Sequence, residues 1–419
     1  MTPSTVRSQT STLEKLRRAK DAACHLSRLP TDEKNALLRS MAAQIKEDEE
    51  RIIAANQIDL AATDLRPTSR DRLLLNSERM AVMTKGLQAV INLPDPNGQL
   101  IEEWIRPNGL RIRKVRVPLG VVGVIYESRP NVTVDATALV LKAGNAVVLR
   151  GGREAAHTNE ALVESLVQAP GLPVGAVELL DSRSRDSVDE LIEARALVDV
   201  LVPRGGADLI NRVVENATVP AIETGAGNCH IYVDKAADLD VADRIVVNAK
   251  TQRPSVCNAA EKLLVHRDLA SEYLPRIVQR LQCEGVEVRG DEETRCLTPG
   301  LHVLPASDED WGMEYLDLRM AVHVVGSVQE AIDHINRYST MHSDAIITRD
   351  EESARQFLSH VDSSAVYWNA STRFTDGGEF GFGAEMGIST QKLHCRGPFG
   401  LAELTSTKYQ ILGCGQVRT

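Results

Sequence analysis

The chain has 419 residues, which is too long for one simple core and predicts two or three domains. Hydrophobic residues make up 43% and charged residues 25%, as in an ordinary globular protein, and no apolar run approaches the roughly 20 residues that span a bilayer. A net charge of −10 and an aromatic content of only 4% argue against a nucleic-acid partner.

The cysteines and the N-terminal residues indicate the compartment. Seven cysteines without a CxxC pair fit a reducing environment better than a disulfide framework. Cysteine and histidine are too scattered along the chain for a zinc site, so no metal is expected. The stretch from Met1 to Leu13 lacks the apolar core of a signal peptide. We therefore expect a cytoplasmic protein that does not enter a membrane.

Apolar residues recur at helical spacing through the N-terminal part of the chain. This spacing predicts helices over residues 13–27, 31–63 and 69–91. Pro30 separates the first two helices, and Thr31 is expected to be the N-cap of the second. These helices carry no recognisable chemistry and are predicted to be structural.

Residues 109–117 alternate apolar and basic side chains, a pattern typical of a half-exposed strand, and a β-hairpin is expected near residues 105–117. The basic face would suit phosphate, but a solvated face or an edge strand between subunits is the more common use of such a pattern. Residues 401–412 are predicted to form a closing strand.

Short apolar runs alternate with helical segments from residue 117 onward. Strands at 121–125 and 146–149 flank a helix at 131–143, which forms one βαβ unit. Strands that are apolar throughout are what a parallel sheet covered on both faces requires, so the predicted fold class is doubly wound α/β. The pattern continues with a helix at 154–169, a strand at 177–180, a helix at 187–194 and a strand at 198–202.

A second α/β run begins near Asp240. The predicted parts are a first domain over residues 1–240, interrupted by the hairpin, a second domain over 241–395 and a C-terminal segment over 396–419. An irregular acidic stretch is expected at 291–312. The second run is predicted to contain helices at 241–250, 269–282, 328–338 and 353–360 and strands at 262–265, 321–325, 345–348 and 365–368.

Polar turns follow three predicted strands, at the sheet edge where open α/β folds bind ligands. Residues 126–131 open onto a helix N-terminus, which suits an anion or an oxyanion. Residues 150–153 place an arginine pair where the 2′-phosphate of NADP(H) is read. The glycines of residues 203–206 let the backbone approach phosphate or nicotinamide. Each turn is also compatible with ordinary turn chemistry, and a GxGxxG motif is absent.

Cys257 follows Arg253 closely, between a predicted helix and a predicted strand. A guanidinium and nearby backbone N–H groups favour the thiolate, which is the nucleophilic form of cysteine. A lone cysteine is more often a small buried hydrophobe, so the residue by itself leaves both interpretations open. Two glycine-rich segments, 223–230 and 369–378, are further candidates, since the second carries side chains that suit a carboxylate or phosphate.

Four stretches together match one known family in the right order. With residues 117–152, 202–206, 251–261 and 369–400, the chain resembles the aldehyde dehydrogenase superfamily, and within it the members that reduce L-glutamyl 5-phosphate. The resemblance implies an aldehyde dehydrogenase-like fold in which the first domain binds the cofactor and the second is catalytic. It also implies that the C-terminal segment is a small β element for oligomerisation.

The resemblance implies roles for individual residues as well. Cys257 is the nucleophile, with Arg253 on the phosphate-leaving side of the site. Asn131 or Ser128 supplies the oxyanion donor, because the turn after the first strand is shorter than in the superfamily. The implied cofactor-binding residues are Arg150, Gly151, Gly152, Arg204, Gly205, Gly206, Glu223 and Glu314, and the implied substrate-binding residues are Ser128, Arg129, Arg373 and Ser389.

The implied activity is the NADPH-dependent reduction of L-glutamyl 5-phosphate to L-glutamate 5-semialdehyde and phosphate, through a thioester on Cys257, in proline biosynthesis. Coupling to glutamate 5-kinase and a homo-oligomer are expected. An acylating aldehyde dehydrogenase that uses coenzyme A would share the cysteine and the fold. A non-catalytic nucleotide-binding protein would share only the cofactor turns.

Overall fold

The computed structural model describes residues 10–62 and 67–418, and the chain divides into two compact units. Of the described residues, unit 1 comprises 10–62, 67–223, 382–387 and 399–418, and unit 2 comprises 224–381 and 388–398. Among the described residues, no helix combines the length and the apolar character that a membrane crossing requires.

The helices occur throughout both units. In chain order they are α1 (Thr12–Leu26), α2 (Thr31–Glu47), α3 (Glu49–Ala62), α4 (Pro67–Leu73), α5 (Ser77–Asn92), α6 (Pro130–Lys142), α7 (Ala156–Leu166), α8 (Asp186–Glu193), α9 (Ala207–Asn216), α10 (Leu239–Thr251), α11 (Arg267–Cys283), α12 (Glu292–Leu297), α13 (Asp308–Gly312), α14 (Val328–Tyr338) and α15 (Glu351–His360).

Within the described part of the chain, the strands form four sheets. In chain order they are β1 (Leu100–Ile105), β2 (Arg111–Pro118), β3 (Val121–Tyr126), β4 (Ala146–Arg150), β5 (Val177–Leu179), β6 (Val200–Arg204), β7 (Cys229–Val233), β8 (Ala260–His266), β9 (Glu287–Gly290), β10 (Val303–Pro305), β11 (Arg319–Val325), β12 (Ser343–Ile347), β13 (Ala365–Trp368), β14 (Gly387–Ser389), β15 (Gly397–Phe399) and β16 (Thr405–Leu412).

The first predicted helix is confirmed as α1, but the second is divided into α2 and α3 at Asp48. The carboxylate of Asp48 accepts a hydrogen bond from the Ser165 hydroxyl, which lowers the pKa of Asp48. Thr31 is not the N-cap, because Pro30 occupies that position and the Thr31 hydroxyl donates to Asp95 at 2.9 Å. Residue 63, the predicted end of this helix, lies outside the described residues.

The third predicted helix is wrong as one continuous element, because α4 and α5 are separated at residues 74–76. Asn76 caps α5 by accepting from the N–H of Arg79 at 2.9 Å. The buried amide of Asn56 donates to the Leu73 carbonyl and accepts from the Leu75 N–H, so it satisfies the backbone at the break.

The parallel sheet of unit 1 has the order β5-β4-β3-β6, and it confirms the predicted βαβ unit. Residues of β3 and β4 are buried almost throughout, as a sheet covered on both faces requires. Helix α6 begins at Pro130 and is closed by Gly144, whose φ of 83° suits glycine. This arrangement places the turns after β3, β4 and β6 at one edge of the sheet.

The hairpin β1–β2 pairs with the C-terminal strand β16 in a three-stranded antiparallel sheet of unit 1. Thr405 lies opposite Pro118, and Leu412 lies opposite Arg111. The closing strand is therefore confirmed. Its partner within the chain is β2, which becomes the central strand of the sheet.

The sheet of unit 2 is parallel and has the order β10-β9-β11-β8-β7-β12-β13. Successive residues of β8 alternate between two cores: Leu263 and Val265 pack with α10 and α11, whereas Leu264 packs with α14 and α15. Both faces are covered, so the predicted doubly wound α/β class is confirmed.

Several elements were not predicted from the sequence. These include helix α9 of unit 1 and strands β7 and β9 of unit 2, and the stretch at 291–312 is not irregular, since it contains α12, β10 and α13. The boundary expected near Asp240 falls inside α10, whereas the compact units divide after Glu223, because β7 belongs to the second sheet. The predicted C-terminal segment, 396–419, contributes residues 399–419 to unit 1.

Candidate active site

Cys257 lies half-buried in the turn between α10 and β8 of unit 2. Helix α10 begins at its N-cap Asp238, whose carboxylate accepts from two backbone N–H groups, and ends at Thr251. Strand β8 is buried along its whole length. The cysteine is therefore carried on a turn whose two ends are fixed in the core, as a nucleophile requires.

The segment after Glu223 packs against the backbone of Cys257. A Cβ placed on Gly227 would lie 1.4 Å from the Cys257 carbonyl oxygen, so only glycine permits this approach. The buried thiol of Cys229 donates to the same carbonyl at 3.2 Å, and burial raises the pKa of Cys229 well above its usual value. Both contacts hold the backbone of Cys257 in place.

The carboxylate of Glu314 accepts a hydrogen bond from the Gly227 N–H at 2.6 Å. Glu314 is half-buried in the loop between α13 and β11. Burial raises the pKa of Glu314, while the Gly227 N–H and the charge of His342 act in the opposite direction. The residue expected to bind the cofactor is thus linked to the cysteine segment inside unit 2.

Three charged side chains are fully buried beside this loop: Lys250, Glu261 and Lys262. The Glu261 carboxylate accepts from the Lys250 ammonium at 3.0 Å and from the Leu316 N–H at 3.2 Å. The Lys262 ammonium donates to the Met313 carbonyl at 2.7 Å. Burial raises the pKa of Glu261 and lowers those of the two lysines. Charged residues inside an apolar strand were a sequence signal that our prediction left unused.

Two guanidinium groups lie near Cys257. Burial lowers the pKa of Arg373, the charge of Arg253 lowers it further, and a charge on Cys257 acts in the opposite direction. Arg373 donates to the side chain of Gln252 at 2.8 Å. Arg253 is exposed and makes no hydrogen bond or ion pair with any described residue. The surface ion pair that would be the ordinary explanation of Arg253 is therefore not formed.

The glycine-rich segment at 369–378 is anchored to the residue after the cysteine. The amide of Asn258 donates to the carbonyl of Thr375 at 2.9 Å, and its carbonyl accepts from the Thr372 hydroxyl at 2.7 Å. Ser371 donates to Asn248 on α10. Ser389 is buried in β14, and its hydroxyl has no hydrogen-bond partner among the described residues.

At the sheet edge of unit 1, Ser128 is held by the turn after β4. Its N–H and its hydroxyl donate to the Glu154 carboxylate at 2.7 and 2.6 Å. Its φ of 34° is in the left-handed region that a residue other than glycine seldom adopts. A Cβ on Gly152 would lie 2.2 Å from the same carboxylate, so the two turns are in contact.

Glu127 covers the third turn, and our sequence reading missed it. Its carboxylate accepts from the Gly206 N–H at 2.9 Å, and its own N–H donates to the Arg204 carbonyl at 3.2 Å. A Cβ on Gly205 would lie 2.6 Å from this carboxylate. An acidic residue that precedes Ser128 in the same polar turn was the available signal.

Arg150 and Arg153 differ in the partners that they find. The Arg150 guanidinium makes four hydrogen bonds, to the carbonyls of Gly151, Ser182 and Ser184 and to the Ser187 hydroxyl. Burial lowers the pKa of Arg150. Arg153 is exposed, and its guanidinium contacts no hydrogen-bond acceptor among the described residues. Arg150, the residue predicted to bind the cofactor, is therefore hydrogen-bonded to neighbouring turns of the chain, whereas Arg153 is available to a ligand.

The remaining predicted residues of unit 1 lie at the start of α6 and at the end of the unit. Arg129 is the exposed N-cap residue of α6, and Asn131 is exposed in its first turn. The Asn131 amide donates to Asp135 at 3.0 Å, and burial raises the pKa of Asp135, while this hydrogen bond and the charge of Arg204 oppose the shift. Glu223 is half-buried at the last position of unit 1 before residue 224.

The predicted site residues thus form one group in each unit. In unit 1 the turns after β3, β4 and β6 meet, and in unit 2 the two arginines and the segment of Glu314 surround the turn of the cysteine. A model of the aldehyde dehydrogenase family matches residues 5–297. A gamma-glutamyl phosphate reductase of Koribacter versatilis is 64% identical over 408 residues, which cover 97% of this chain and 100% of the relative.

The chain belongs to the aldehyde dehydrogenase family, among the gamma-glutamyl phosphate reductases.

A solved structure supports the same assignment. The gamma-glutamyl phosphate reductase of Thermotoga maritima aligns with a TM-score of 0.96 at 49% identity, and the match covers 98% of this chain and 100% of that one. An acetylating aldehyde dehydrogenase of Geobacillus thermoglucosidasius has a TM-score of 0.69 at 17% identity, which shows the shared fold alone. The predicted family and fold are confirmed, and membership implies an oxidoreductase with a nicotinamide cofactor.

Proposed function

We propose that this chain reduces gamma-glutamyl phosphate to glutamate 5-semialdehyde and phosphate in proline biosynthesis, with Cys257 as the nucleophile. The name of the relative that is 64% identical supports the substrate and the reaction. The observation that carries the site is the exposed guanidinium of Arg253, which has no partner among the described residues and is carried on the same turn as Cys257. Guanidinium groups beside a thiol suit a substrate whose leaving group is phosphate.

The first chemical step belongs to the cysteine turn. The sulfur of Cys257 attacks the acyl carbon, the bond from that carbon to the phosphate oxygen breaks, and a thioester remains on the cysteine. Arg253 and Arg373 bind the phosphate oxygens as charge develops on them. When bound, the nicotinamide cofactor supplies the hydride that reduces the thioester carbonyl. The thiolate then leaves as the aldehyde forms, so Cys257 returns to its starting state.

Asn131 is the better of the two candidate oxyanion donors. Ser128 donates its hydroxyl to Glu154, so this proton is already engaged. Asn131 uses one amide hydrogen for Asp135 and retains the other, because a primary amide has two. Glu223 is proposed to remain near the site without activating water, since hydrolysis of the thioester would waste the substrate.

NADPH is proposed as the cofactor, and the turns at the sheet edge of unit 1 fit a nucleotide. Gly151 and Gly152 are buried, and Gly152 has no space for a side chain, so bare backbone is presented after β4. Gly205 and Gly206 lie at the start of α9, where the Gly206 N–H already donates to Glu127, so these glycines suit a nucleotide through their lack of side chains. Arg153 supports recognition of the 2′-phosphate, because Arg150 is engaged with the chain.

Arg153→Ala tests this assignment. We expect the KM for NADPH to rise by about tenfold or more and the KM for NADH to change little, because only NADPH carries the 2′-phosphate. Steady-state kinetics with both cofactors measures the difference. Arg195→Ala is the matched control, since Arg195 is exposed and precedes β6 at the opposite end of the strand. An equal effect of Arg153→Ala on both cofactors would contradict 2′-phosphate recognition.

Cys257→Ser tests the nucleophile. We expect loss of NADPH oxidation with gamma-glutamyl phosphate by at least about a thousandfold, with cofactor binding retained, because a hydroxyl is a poor nucleophile without a base. Cys283→Ser, at an exposed cysteine of α11, is the control. Turnover in Cys257→Ser at the level of that control would disprove the assignment.

The reverse reaction separates this function from that of an enzyme that uses coenzyme A. We expect glutamate 5-semialdehyde to reduce NADP⁺ only when phosphate is present. Turnover supported by coenzyme A and indifferent to phosphate would instead favour the acylating activity.

We also propose that the enzyme is a cytoplasmic homo-oligomer supplied by glutamate 5-kinase, because an acyl phosphate hydrolyses in water and requires prompt use. The exposed side chains of Ile105, Tyr409 and Ile411 on the three-stranded sheet support contact with a second copy. Sedimentation of the wild type and of Ile411→Glu measures this, with dissociation of the variant expected. A wild type that sediments as a monomer would contradict the oligomer.

A further inference from the structure

We propose that Glu314 is a positioning residue for Cys257, acting through the backbone of Gly227 in addition to any contact with the cofactor. The inference rests on the proposed function, since it assumes that Cys257 is the nucleophile. It concerns residues of unit 2 alone, so it is testable in the enzyme without cofactor.

The first step is the contact between Gly227 and the cysteine. A Cβ on Gly227 would lie 1.4 Å from the Cys257 carbonyl oxygen, 2.2 Å from its carbonyl carbon and 2.6 Å from its Cα. The two backbones are therefore in direct van der Waals contact. Any displacement of Gly227 displaces the backbone that carries the nucleophilic sulfur.

The second step is the hydrogen bond that holds Gly227. Its N–H donates to the Glu314 carboxylate at 2.6 Å, a short distance that is typical of a bond to a charged acceptor. On either side, Thr340 donates its hydroxyl to the Ala226 carbonyl and accepts from the Asn228 N–H. Glu314 therefore supplies the acceptor at the residue that touches Cys257.

The third step is the rigidity of Glu314 itself. The carbonyl of Met313 is held by the buried ammonium of Lys262, and the N–H of Leu316 is held by the buried carboxylate of Glu261. Lys250 neutralises Glu261 at 3.0 Å. Leu316 has a φ of 54°, a conformation that persists only where the surroundings impose it. The loop is thus fixed on both sides of Glu314.

The test measures the reactivity of Cys257 without cofactor. Iodoacetamide is added to the apoenzyme across a range of pH, and mass spectrometry follows alkylation of the peptide that contains Cys257. We expect Glu314→Ala to slow alkylation by about tenfold, the factor that loss of one hydrogen bond to a charged acceptor produces. Glu309→Ala, at an exposed position on α13, should react like the wild type.

The conservative variant separates positioning from cofactor binding. An amide oxygen still accepts from the Gly227 N–H, so Glu314→Gln should restore the alkylation rate to within about twofold of the wild type. If the carboxylate also binds the cofactor, Glu314→Gln should still have a higher KM for the cofactor than the wild type. Alkylation of Glu314→Ala at the wild-type rate and with the wild-type pH profile would overturn the inference.

A second variant covers the case in which Glu314→Ala fails to fold. Lys262→Met keeps the bulk of the side chain and removes the donor to the Met313 carbonyl, so Cys257 should again be alkylated several-fold more slowly than in the wild type. An unchanged rate in a folded Lys262→Met variant would overturn the inference. If Cys257→Ser retained turnover, the proposed function would fail first. If that variant were inactive and Glu314→Ala were alkylated normally, only the positioning of Cys257 by Glu314 would fail.

Discussion

Gly227 occupies a position that admits no side chain, because the backbone of Cys257 fills the space where a Cβ would stand. The sequence placed Gly227 in a glycine-rich segment and gave no indication of what lies against it. The contact joins positions far apart along the chain, and only the packing of the segment after Glu223 against the cysteine turn brings them together. Glycine is required at position 227 because the backbone of Cys257 lies against it, and not because of a turn conformation.

Gly227→Ala tests this contact. We expect the free energy of unfolding to fall by about 1–3 kcal/mol, because the added methyl group overlaps backbone atoms that cannot rotate away. Urea unfolding measures the change, and turnover should fall with it. Gly312→Ala is the control, since nothing lies within 4 Å of a Cβ at that position. Equal stability of the two variants would contradict the close approach.

The two arginines after β4 show which properties a sequence motif predicts and which it does not. The sequence predicts that the pair Arg150 and Arg153 reads a phosphate, and the structure gives the two guanidinium groups different surroundings. Arg150 binds two carbonyls of the turn at Ser182 and Ser184, whereas Arg153 points to no described acceptor. The spacing of residues predicts which turn is basic, but the position of the neighbouring turn decides which guanidinium is available.

At the scale of elements, clear apolar patterns were predicted well and the shortest helices were not. Helix α14 and strand β13 have the predicted bounds, because α14 has apolar residues at helical spacing and β13 is an unbroken apolar run. Helices α12 and α13 were missed, since each is too short to show a period. The start of each helix is instead defined by its N-cap residue, Asp291 for α12 and Ser307 for α13.

Asp291 gives α12 a dependence on pH. Burial of Asp291 opposes its ionisation, but hydrogen bonds from His323, Thr294 and Val324 outweigh this effect and lower the pKa of Asp291 to about 2. The folded-state pKa lies below the ordinary value of 3.8, so the stabilisation is complete above that value. It is lost as the pH falls from 3.8 towards 2.

Asp291→Asn should therefore be less stable at neutral pH, by about 1–2 kcal/mol, because an amide accepts these hydrogen bonds more weakly. The difference from the wild type should shrink as the pH falls below 4, when the wild-type carboxylate takes up a proton. Urea unfolding at several pH values measures this, with Glu292→Gln as the control in the same turn of α12. A difference that is constant with pH would contradict the lowered pKa.

At the scale of the whole molecule, the C-terminal strand closes the sheet of the hairpin in unit 1. Strand β16 pairs with β2 along the full length of both. Asn145, at the end of α6, donates to the Leu404 carbonyl just before β16 begins. Strand β16 is thus attached to the same unit that carries the turns after β3, β4 and β6.

Deletion of residues 405–419 should lower Tm by about 5 °C or more and promote aggregation, because the edge of β2 loses its partner. Differential scanning calorimetry and light scattering measure the two effects. Deletion of residues 413–419 alone leaves β16 intact and should have little effect on either. A longer deletion that melted like the shorter one would show that β16 does not stabilise unit 1.

The sequence by itself determined the doubly wound class, the strands of both parallel sheets other than β7, β9 and β10, the glycine turns and the cysteine turn. These follow from local patterns, since periodicity and turn chemistry depend on residues that are close in the chain. Only the tertiary structure decided that Glu127 covers Gly206, that Glu261 and Lys262 hold the loop of Glu314, and that Glu314 holds Gly227. Each of these contacts joins distant positions, and no local pattern records which distant residues the packed sheets bring together.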